Sequence, residues 1–241
     1  MIDFPDLDSL ELPLATADST AERFASLRSA GRALARELKC YEKRDDVVVL
    51  GIALGGAPVA HEVANFLLAP LDLTIVRWLL TPAGPGSQIC AVSLGGTMVL
   101  DEALPSLAAV PSTPSEHFLR DAIDELARRE QTCRRGRAPI NLAGRTIILV
   151  DCGIRTGSTM KATIAALRTE KPARIVAAVP VASLGGHAAI AGLADELVCL
   201  ARPRPFGHVG LWYQDFSRPG DDQVGEVYET VRSHEGRCEV D

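Results

Sequence analysis

Thr146-Ile147-Ile148-Leu149-Val150-Asp151-Cys152-Gly153-Ile154-Arg155-Thr156-Gly157-Ser158-Thr159 decides how this chain is read. Thr146–Val150 is a short, unbroken, β-branched-rich run, the pattern of a strand buried on both faces. Met160–Thr169 has the composition of a helix. Between them lie glycines and hydroxyls. A strand, a small polar loop and a helix start make an anion site, because the first helical N–H groups lack partners and the dipole is positive there. Thr156, Ser158 and Thr159 add hydroxyl donors, and Gly157 lets the backbone close around phosphate oxygens. Asp151, at the strand end, is placed to accept hydrogen bonds from sugar hydroxyls.

The same grammar occurs upstream. Val47–Gly51 reads as a buried strand, Gly55-Gly56 as a turn, and Ala57–Leu68 as a helix with Pro58 in its first turn. Further strands are expected at Leu73–Val76, Arg145–Asp151, Arg174–Val179 and Leu197–Leu200. Helices are expected at Thr20–Lys39 (with Phe24, Leu27, Leu34 and Leu38 on one face), Ser115–Gln131, Ser158–Thr169, Ala188–Leu193 and Val224–Ser233. Thr81–Gly96 is rich in Gly, Pro and Ser and reads as loop. Within and after it, Ala91–Leu94 and Thr97–Leu100 flank Gly95-Gly96 as a hairpin candidate. Alternating strands and helices predict an α/β fold with a doubly wound, mainly parallel sheet. Ligands of such sheets sit at the carboxyl ends of strands, so both loops can face one crevice. Residues 1–19 read as an N-terminal arm and 20–241 as one domain.

Composition narrows the function. The net charge of −6 over 241 residues argues against general nucleic-acid binding. No stretch reaches the roughly 18 continuous apolar residues of a membrane span. The acidic start, Met1-Ile2-Asp3-Phe4-Pro5-Asp6, does not read as a signal peptide, so the expected location is cytoplasmic. Six cysteines are scattered without C-x-x-C spacing, which suggests reduced thiols and neither zinc nor a disulfide framework. Arg134-Arg135-Gly136-Arg137 reads as a solvated basic loop, and Gly185-Gly186 as a turn. His187 and His208 have no partner fixed by spacing. Gly51–Gly56 lacks both the Lys-Ser/Thr ending of a P-loop and G-x-G-x-x-G spacing.

Val150–Thr159 resembles the ribose-phosphate loop of type I phosphoribosyltransferases. Val47–Ala60 looks like that family's first strand and pyrophosphate loop, and Leu71–Arg77 like its second strand. Pro205-Phe206-Gly207-His208-Val209-Gly210-Leu211-Trp212-Tyr213-Gln214-Asp215-Phe216 is similar to the C-terminal segment of bacterial phosphoribosyltransferase-like proteins. The likeness runs from about Arg23 to Val227. It implies a small hood or flap over the sheet, formed in the region after Thr81. It also implies transfer of a 5-phosphoribosyl group from phosphoribosyl pyrophosphate to a small-molecule acceptor, with Mg2+ bound mainly through the substrate pyrophosphate. By resemblance, Asp151, Cys152, Gly153, Ile154, Arg155, Thr156, Gly157, Ser158 and Thr159 would hold the phosphoribosyl group, with Asp151 catalytic. Leu54, Gly55, Gly56 and Arg77 would bind pyrophosphate. Phe206 and Trp212 would border the acceptor, and Asp215 would lie near the metal. No nucleic-acid or membrane partner is implied; a homodimer is compatible.

The chain departs from the pattern in four places. Cys152 stands where the second acid of a pair is usual. Leu54 replaces an Arg, and Trp78 a Lys, of the related bacterial proteins. Arg155 stands where purine-salvage enzymes carry an Asp, which disfavours a purine acceptor. Losing one charged hydrogen bond weakens binding about 10- to 100-fold and does not abolish it. Two classes of function stay open. One is a transferase, for which an aminoglycoside hydroxyl in secondary metabolism is one acceptor. The other is a non-catalytic phosphate-ligand or partner subunit, or repurposed chemistry using Cys152 or Arg155.

Overall fold

The computed structural model describes residues 23–80, 88–94, 97–101 and 116–232. In chain order the elements are β1 (Phe24–Ser26), α1 (Leu27–Glu37), β2 (Val47–Ile52), α2 (Gly56–Leu67), β3 (Leu71–Leu80), β4 (Gln88–Leu94) and β5 (Thr97–Asp101). Then follow α3 (Glu116–Arg134), β6 (Thr146–Val150), α4 (Ser158–Thr169), β7 (Arg174–Val181), α5 (Leu184–Ile190), β8 (Glu196–Ala201), β9 (Tyr213–Asp215) and α6 (Asp221–Arg232).

Seven strands form one sheet in the order β5-β4-β3-β2-β6-β7-β8. β3, β2, β6, β7 and β8 are parallel, and β4 and β5 extend the β3 edge antiparallel. β2 and β6 are buried at every position and, Thr146 apart, apolar, as expected of central strands covered on both faces. Their side chains alternate between two cores. Val47, Val49, Ile148 and Val150 pack with α1 and α2, whereas Val48, Leu50, Ile147 and Leu149 pack with α4. From β2 the chain crosses to β3 on one side; from β6 it crosses to β7 on the other. The crossover helices α2 and α4 lie on opposite faces, as two crossovers of one hand require. The crevice between the ends of β2 and β6 is therefore the topological switch point, where ligands of such sheets bind.

Several expectations need correction. The first helix begins at Leu27, not Thr20. Ser26 caps it by accepting from Ser29 N–H, and Ser29 returns the bond in a reciprocal capping box. Phe24–Ser26 instead forms a two-stranded parallel ribbon with Tyr213–Asp215. The stretch read as loop contains the whole of β4, because Gln88–Leu94 pairs with both β3 and β5. The hairpin expectation matches that pairing, although Gly95-Gly96 and Ser115 lie outside the described residues. Gly185-Gly186 is not a turn; it lies inside α5, which starts at Leu184 and is capped by Ser183. The start of α5 thus precedes the expected Ala188.

The basic run is also corrected at its first residue. Arg134 is 7% exposed. Its Nη1 donates to Asp72 Oδ1 at 2.7 Å, its Nε to Glu130 Oε1 at 2.6 Å, and its Nη2 to the Leu73 carbonyl at 3.2 Å. Ser93 Oγ donates to Glu130 Oε2, and Asp72 Oδ2 accepts from Ile140 N–H at 2.8 Å. This buried network joins β3, β4, α3 and the chain after α3. On α2, His61 Nδ1 lies 3.1 Å from the Val227 carbonyl, and its Nε2 lies 2.8 Å from Asn65 Nδ2. A neutral ring protonated at Nδ1 satisfies both contacts and fastens α6 to α2.

Candidate functional site

β2 and β6 end side by side, with Gly51 opposite Val150. After β2, Ala53 N–H still donates to the Thr74 carbonyl of β3 at 2.8 Å. The next residue, Leu54, has φ 72°. A side-chain-bearing residue held there costs on the order of 1–3 kcal/mol, and such strain clusters at ligand clamps. Gly55 returns to right-handed values, φ −67° and ψ −36°. A left-handed residue beside a right-handed one turns successive N–H groups toward one side, the geometry of an anion-binding nest. Space requires glycine at position 56 and favours it at position 55. A Cβ on Gly56 would lie 2.7 Å from the Val150 carbonyl oxygen and 3.1 Å from Asp151 Cα; a Cβ on Gly55 would lie 2.7 Å from Cys152 Sγ. The turn after β2 is thus seated directly on the end of β6.

The second loop starts there. Asp151 is half-buried, and its Oδ1 accepts from Cys152 N–H at 2.7 Å. The same oxygen lies 3.4 Å from the position of a Gly56 Cβ, so the carboxylate lies between the two loops. Cys152 is 6% exposed and belongs to the core. Ile154 is buried and bridges to Ala182. Beyond it, Arg155 and Thr156 are exposed, Gly157 is buried, and Ser158 and Thr159 are half-buried. Gly157 adopts φ 85° at the start of α4, which no side chain caps. Thr156 Oγ1 lies 3.1 Å from Ser158 Oγ. Backbone and hydroxyl donors therefore converge at the helix start, the arrangement that takes a phosphate dianion.

Ser183 is a contributor that sequence reading missed. Its Oγ donates to the Arg155 carbonyl at 2.5 Å and accepts from Gly186 N–H at 2.8 Å. Gly186 packs so tightly that an added Cβ would lie 2.6 Å from the Arg155 carbonyl oxygen. The start of α5 is therefore the backing of the loop between β6 and α4. Ser183 three residues before Gly186 is the spacing of an N-cap, and that was the available signal.

The C-terminal segment forms the third wall. Tyr213 is buried, and its hydroxyl donates to the Cys152 carbonyl at 2.5 Å; burial pushes that hydroxyl's pKa far upward. Trp212 is 4% exposed, donates Nε1–H to the Phe206 carbonyl at 2.9 Å and stacks on the Phe206 ring at 6.1 Å. Phe206 is the more exposed of the two. Asp215 is exposed and accepts from Ser217 N–H at 3.0 Å and from its hydroxyl at 2.5 Å. Those bonds hold its carboxyl below the usual carboxylate range. Arg77 Nη1 is 3.4 Å from Glu125 of α3. Among the described residues no three His, Cys, Asp or Glu side chains cluster as a metal site.

A family model described as the phosphoribosyl transferase domain matches residues 24–214. The chain belongs to the phosphoribosyl transferase family. As a phosphoribosyl transferase domain it is 40% identical, over 195 residues, to the "Putative phosphoribosyl transferase Rv0571c" of Mycobacterium tuberculosis. That match takes in 81% of this chain and 44% of the relative, so the chain spans less than half of that protein's length. The crystal structure of TT1426 from Thermus thermophilus is similar at a TM-score of 0.69 and 33% identity, covering 86% of this chain and 97% of the other. The matched residues 24–214 take in the seven-stranded, mainly parallel sheet and both loops at its switch point. No helix among the described residues is long and apolar enough to cross a membrane.

Proposed function

We propose that this domain binds 5-phosphoribosyl pyrophosphate across the switch-point crevice and transfers its phosphoribosyl group to a small-molecule acceptor. One observation carries this reading. Two anion-shaped loops lie against each other at the ends of adjacent strands, with the Asp151 carboxylate between them. A donor with a phosphate at one end, a pyrophosphate at the other and a sugar in the middle has that layout.

Each group then has a part. The Thr156–Thr159 backbone and hydroxyls hold the 5-phosphate. The strained Leu54-Gly55-Gly56 turn receives the pyrophosphate, and Arg77 adds charge nearby. Asp151, oriented by Cys152 N–H, accepts from ribose hydroxyls and stabilises positive charge on the ribose as the bond to pyrophosphate breaks. Cys152 keeps a packing role beneath Gly55. Phe206 supplies an apolar face for the acceptor, with Trp212 supporting it from the core. Asp151 and Asp215 offer the hard oxygen ligands that Mg2+ takes, whereas Cys152 does not. Mg2+ commonly uses one or two carboxylates plus substrate phosphates, so the residues fit an ion brought by the pyrophosphate and held by Asp151. When bound, it neutralises the leaving group.

The test is calorimetry with phosphoribosyl pyrophosphate and Mg2+, followed by pyrophosphate release with purine bases and aminoglycosides as acceptors. Binding plus release supports the reading, and Asp151→Asn should then slow release about 10- to 100-fold. Binding with no release for any acceptor would favour a ligand-sensing domain, the alternative suggested by Cys152 in an acid's place. Absence of binding at millimolar ligand would end both.

A further inference from the structure

The sheet order β2, β6, β7, β8 sets out what lies at the carboxyl ends of these strands. The glycine turn follows β2, and the loop rich in hydroxyls follows β6. Further along, where the chain leaves β7 and β8, the surface turns cationic. We propose that exposed Arg155, Arg202 and Arg204 form a rim there that selects an acceptor bearing a carboxylate or another fixed negative charge. The proposal names the acceptor class and rests on the reading given under Proposed function.

Backbone register places the charges. Ile154 N–H donates to the Val181 carbonyl at 2.9 Å, Ser183 N–H to the Ile154 carbonyl at 2.8 Å, and Ala182 N–H to the Ala201 carbonyl at 3.0 Å. The chains therefore run abreast past the strand ends, and Arg155, Ser183 and Arg202 are the residues that follow. Neighbouring strands are about 4.8 Å apart, so the backbones at Arg155 and Arg202 are separated by about 10 Å, a gap that two arginine side chains can share. Ser183, between them, is short, uncharged and engaged with the Arg155 carbonyl and Gly186 N–H. The chain carrying Arg202 and Arg204 then returns over the loop after β6, where a Cβ on Gly153 would lie 2.8 Å from Val209 Cγ1. Phe206, the apolar face assigned to the acceptor, lies on that return between Arg204 and Val209.

The rim's charge is not balanced by the protein. Between Asp151 and Asp215 the acids are Glu170, Asp195 and Glu196. All three stand at the amino end of the parallel strands, Glu170 at the close of α4 and the other two at the start of β8. There Asp195 accepts from Arg168, and Glu196 from Arg174 and the Tyr41 hydroxyl. Among the described residues Arg155, Arg202 and Arg204 have no carboxylate partner, whereas exposed Arg44, Arg128, Arg168 and Arg174 each have one. Like charges gathered without counter-charges raise the local potential, although the chain as a whole carries −6. Each guanidinium also presents a fork of donors that fits a carboxylate. The occupant's chemistry follows: a flat apolar part against Phe206 and an anionic group toward the arginines. A polycation such as an aminoglycoside is repelled.

The probe is isophthalate, a flat aromatic dicarboxylate, with meta-benzenedimethanol as its neutral counterpart. Calorimetry on wild type first measures ribose 5-phosphate and pyrophosphate with Mg2+, then each probe with ribose 5-phosphate present to keep the dicarboxylate off the loop after β6. Isophthalate is expected to bind at least about fivefold more tightly than the diol. Arg155→Gln, Arg202→Gln and Arg204→Gln should each weaken isophthalate about 2- to 5-fold, and the triple variant about 10-fold or more, with diol binding unchanged. Arg36→Gln removes an exposed, unpaired charge from α1 and should leave isophthalate binding as it is. Equal affinity for the two probes, no isophthalate binding at millimolar probe, or an Arg36→Gln loss matching that of the rim variants would overturn the rim, provided ribose 5-phosphate and pyrophosphate still bind. Wild type that binds neither of those two ligands would overturn the proposed function itself.

Discussion

Gly55→Ala should destabilise the protein in the native background and stop doing so once Cys152 loses its thiol. The added methyl would meet Cys152 Sγ at 2.7 Å but Cys152 Cβ at 3.5 Å and Arg218 Nε at 3.8 Å, both ordinary contacts. Cys152 has one rotatable bond and is 6% exposed, so relief requires a rotamer change inside packed core. Overpacking of this kind costs about 1–3 kcal/mol. The backbone at Gly55, φ −67° and ψ −36°, is one that alanine adopts freely. Replacing glycine there gains about 0.4–1 kcal/mol through the unfolded chain. The net loss is roughly 1 kcal/mol, or about 2–4 °C in Tm for a chain of this size. In Cys152→Ala the clash is gone and Gly55→Ala should raise Tm slightly. The assay is a double-mutant cycle by urea unfolding, with a coupling of about 1–3 kcal/mol expected. A coupling below about 0.5 kcal/mol would show that the thiol does not fill the space under the turn, and would refute this account of why cysteine is accommodated beside Asp151.

Arg134→Met leaves Asp72 and Glu130 without their shared guanidinium; breaking a buried pair this way costs about 3–5 kcal/mol, or about 6–20 °C in Tm, and Asp72→Asn with Glu130→Gln should restore part of it. Burial lowers the pKa of His61 from its ordinary 6.5 in the folded protein. The unfolded chain therefore binds the proton more readily, so His61's contribution is intact above pH 6.5 and shrinks as pH falls below it. A comparison of urea midpoints at pH 5 and 7.5 should show a smaller acid loss in His61→Gln than in wild type. Ser183→Ala unlatches the Arg155 carbonyl, and calorimetry should find ribose 5-phosphate binding weakened about 3- to 10-fold with pyrophosphate binding unchanged.

The parts of the fold readable in the sequence were those that obey one rule at a time. β2 and, beyond Thr146, β6 are apolar because both faces are covered, and α4 begins where Gly157 and the hydroxyls end the loop. Phe24 misled because it sits three residues before Leu27, a helical spacing, while its ring packs on Tyr213 at 5.8 Å in another ribbon. The reciprocal Ser26–Ser29 cap was the local sign that the helix starts later. Arg134 misled because its nearby partner Glu130 reads as an ordinary surface helix pair, and the partner that draws it into the core, Asp72, is 62 positions away in a strand. At the candidate site, the placement of both loops and Asp151 at adjacent strand ends was legible from their strand-end grammar. Ser183 was missed: its cap spacing to Gly186 is local, but its bond to the Arg155 carbonyl exists only after segments 28 positions apart fold together.

The parallel ribbon of Phe24–Ser26 with Tyr213–Asp215 has a mechanical meaning. Its two rungs tie the entry of the domain to the strand that hangs from the Cys152 carbonyl, immediately ahead of Phe216 and Arg218. A pull or a cut at residue 24 is therefore felt within a few bonds of the crevice between the ends of β2 and β6, although half the fold separates the two in sequence. Any fusion, tag or trimming that disturbs Phe24 acts on the wall of that crevice rather than on a remote edge of the fold.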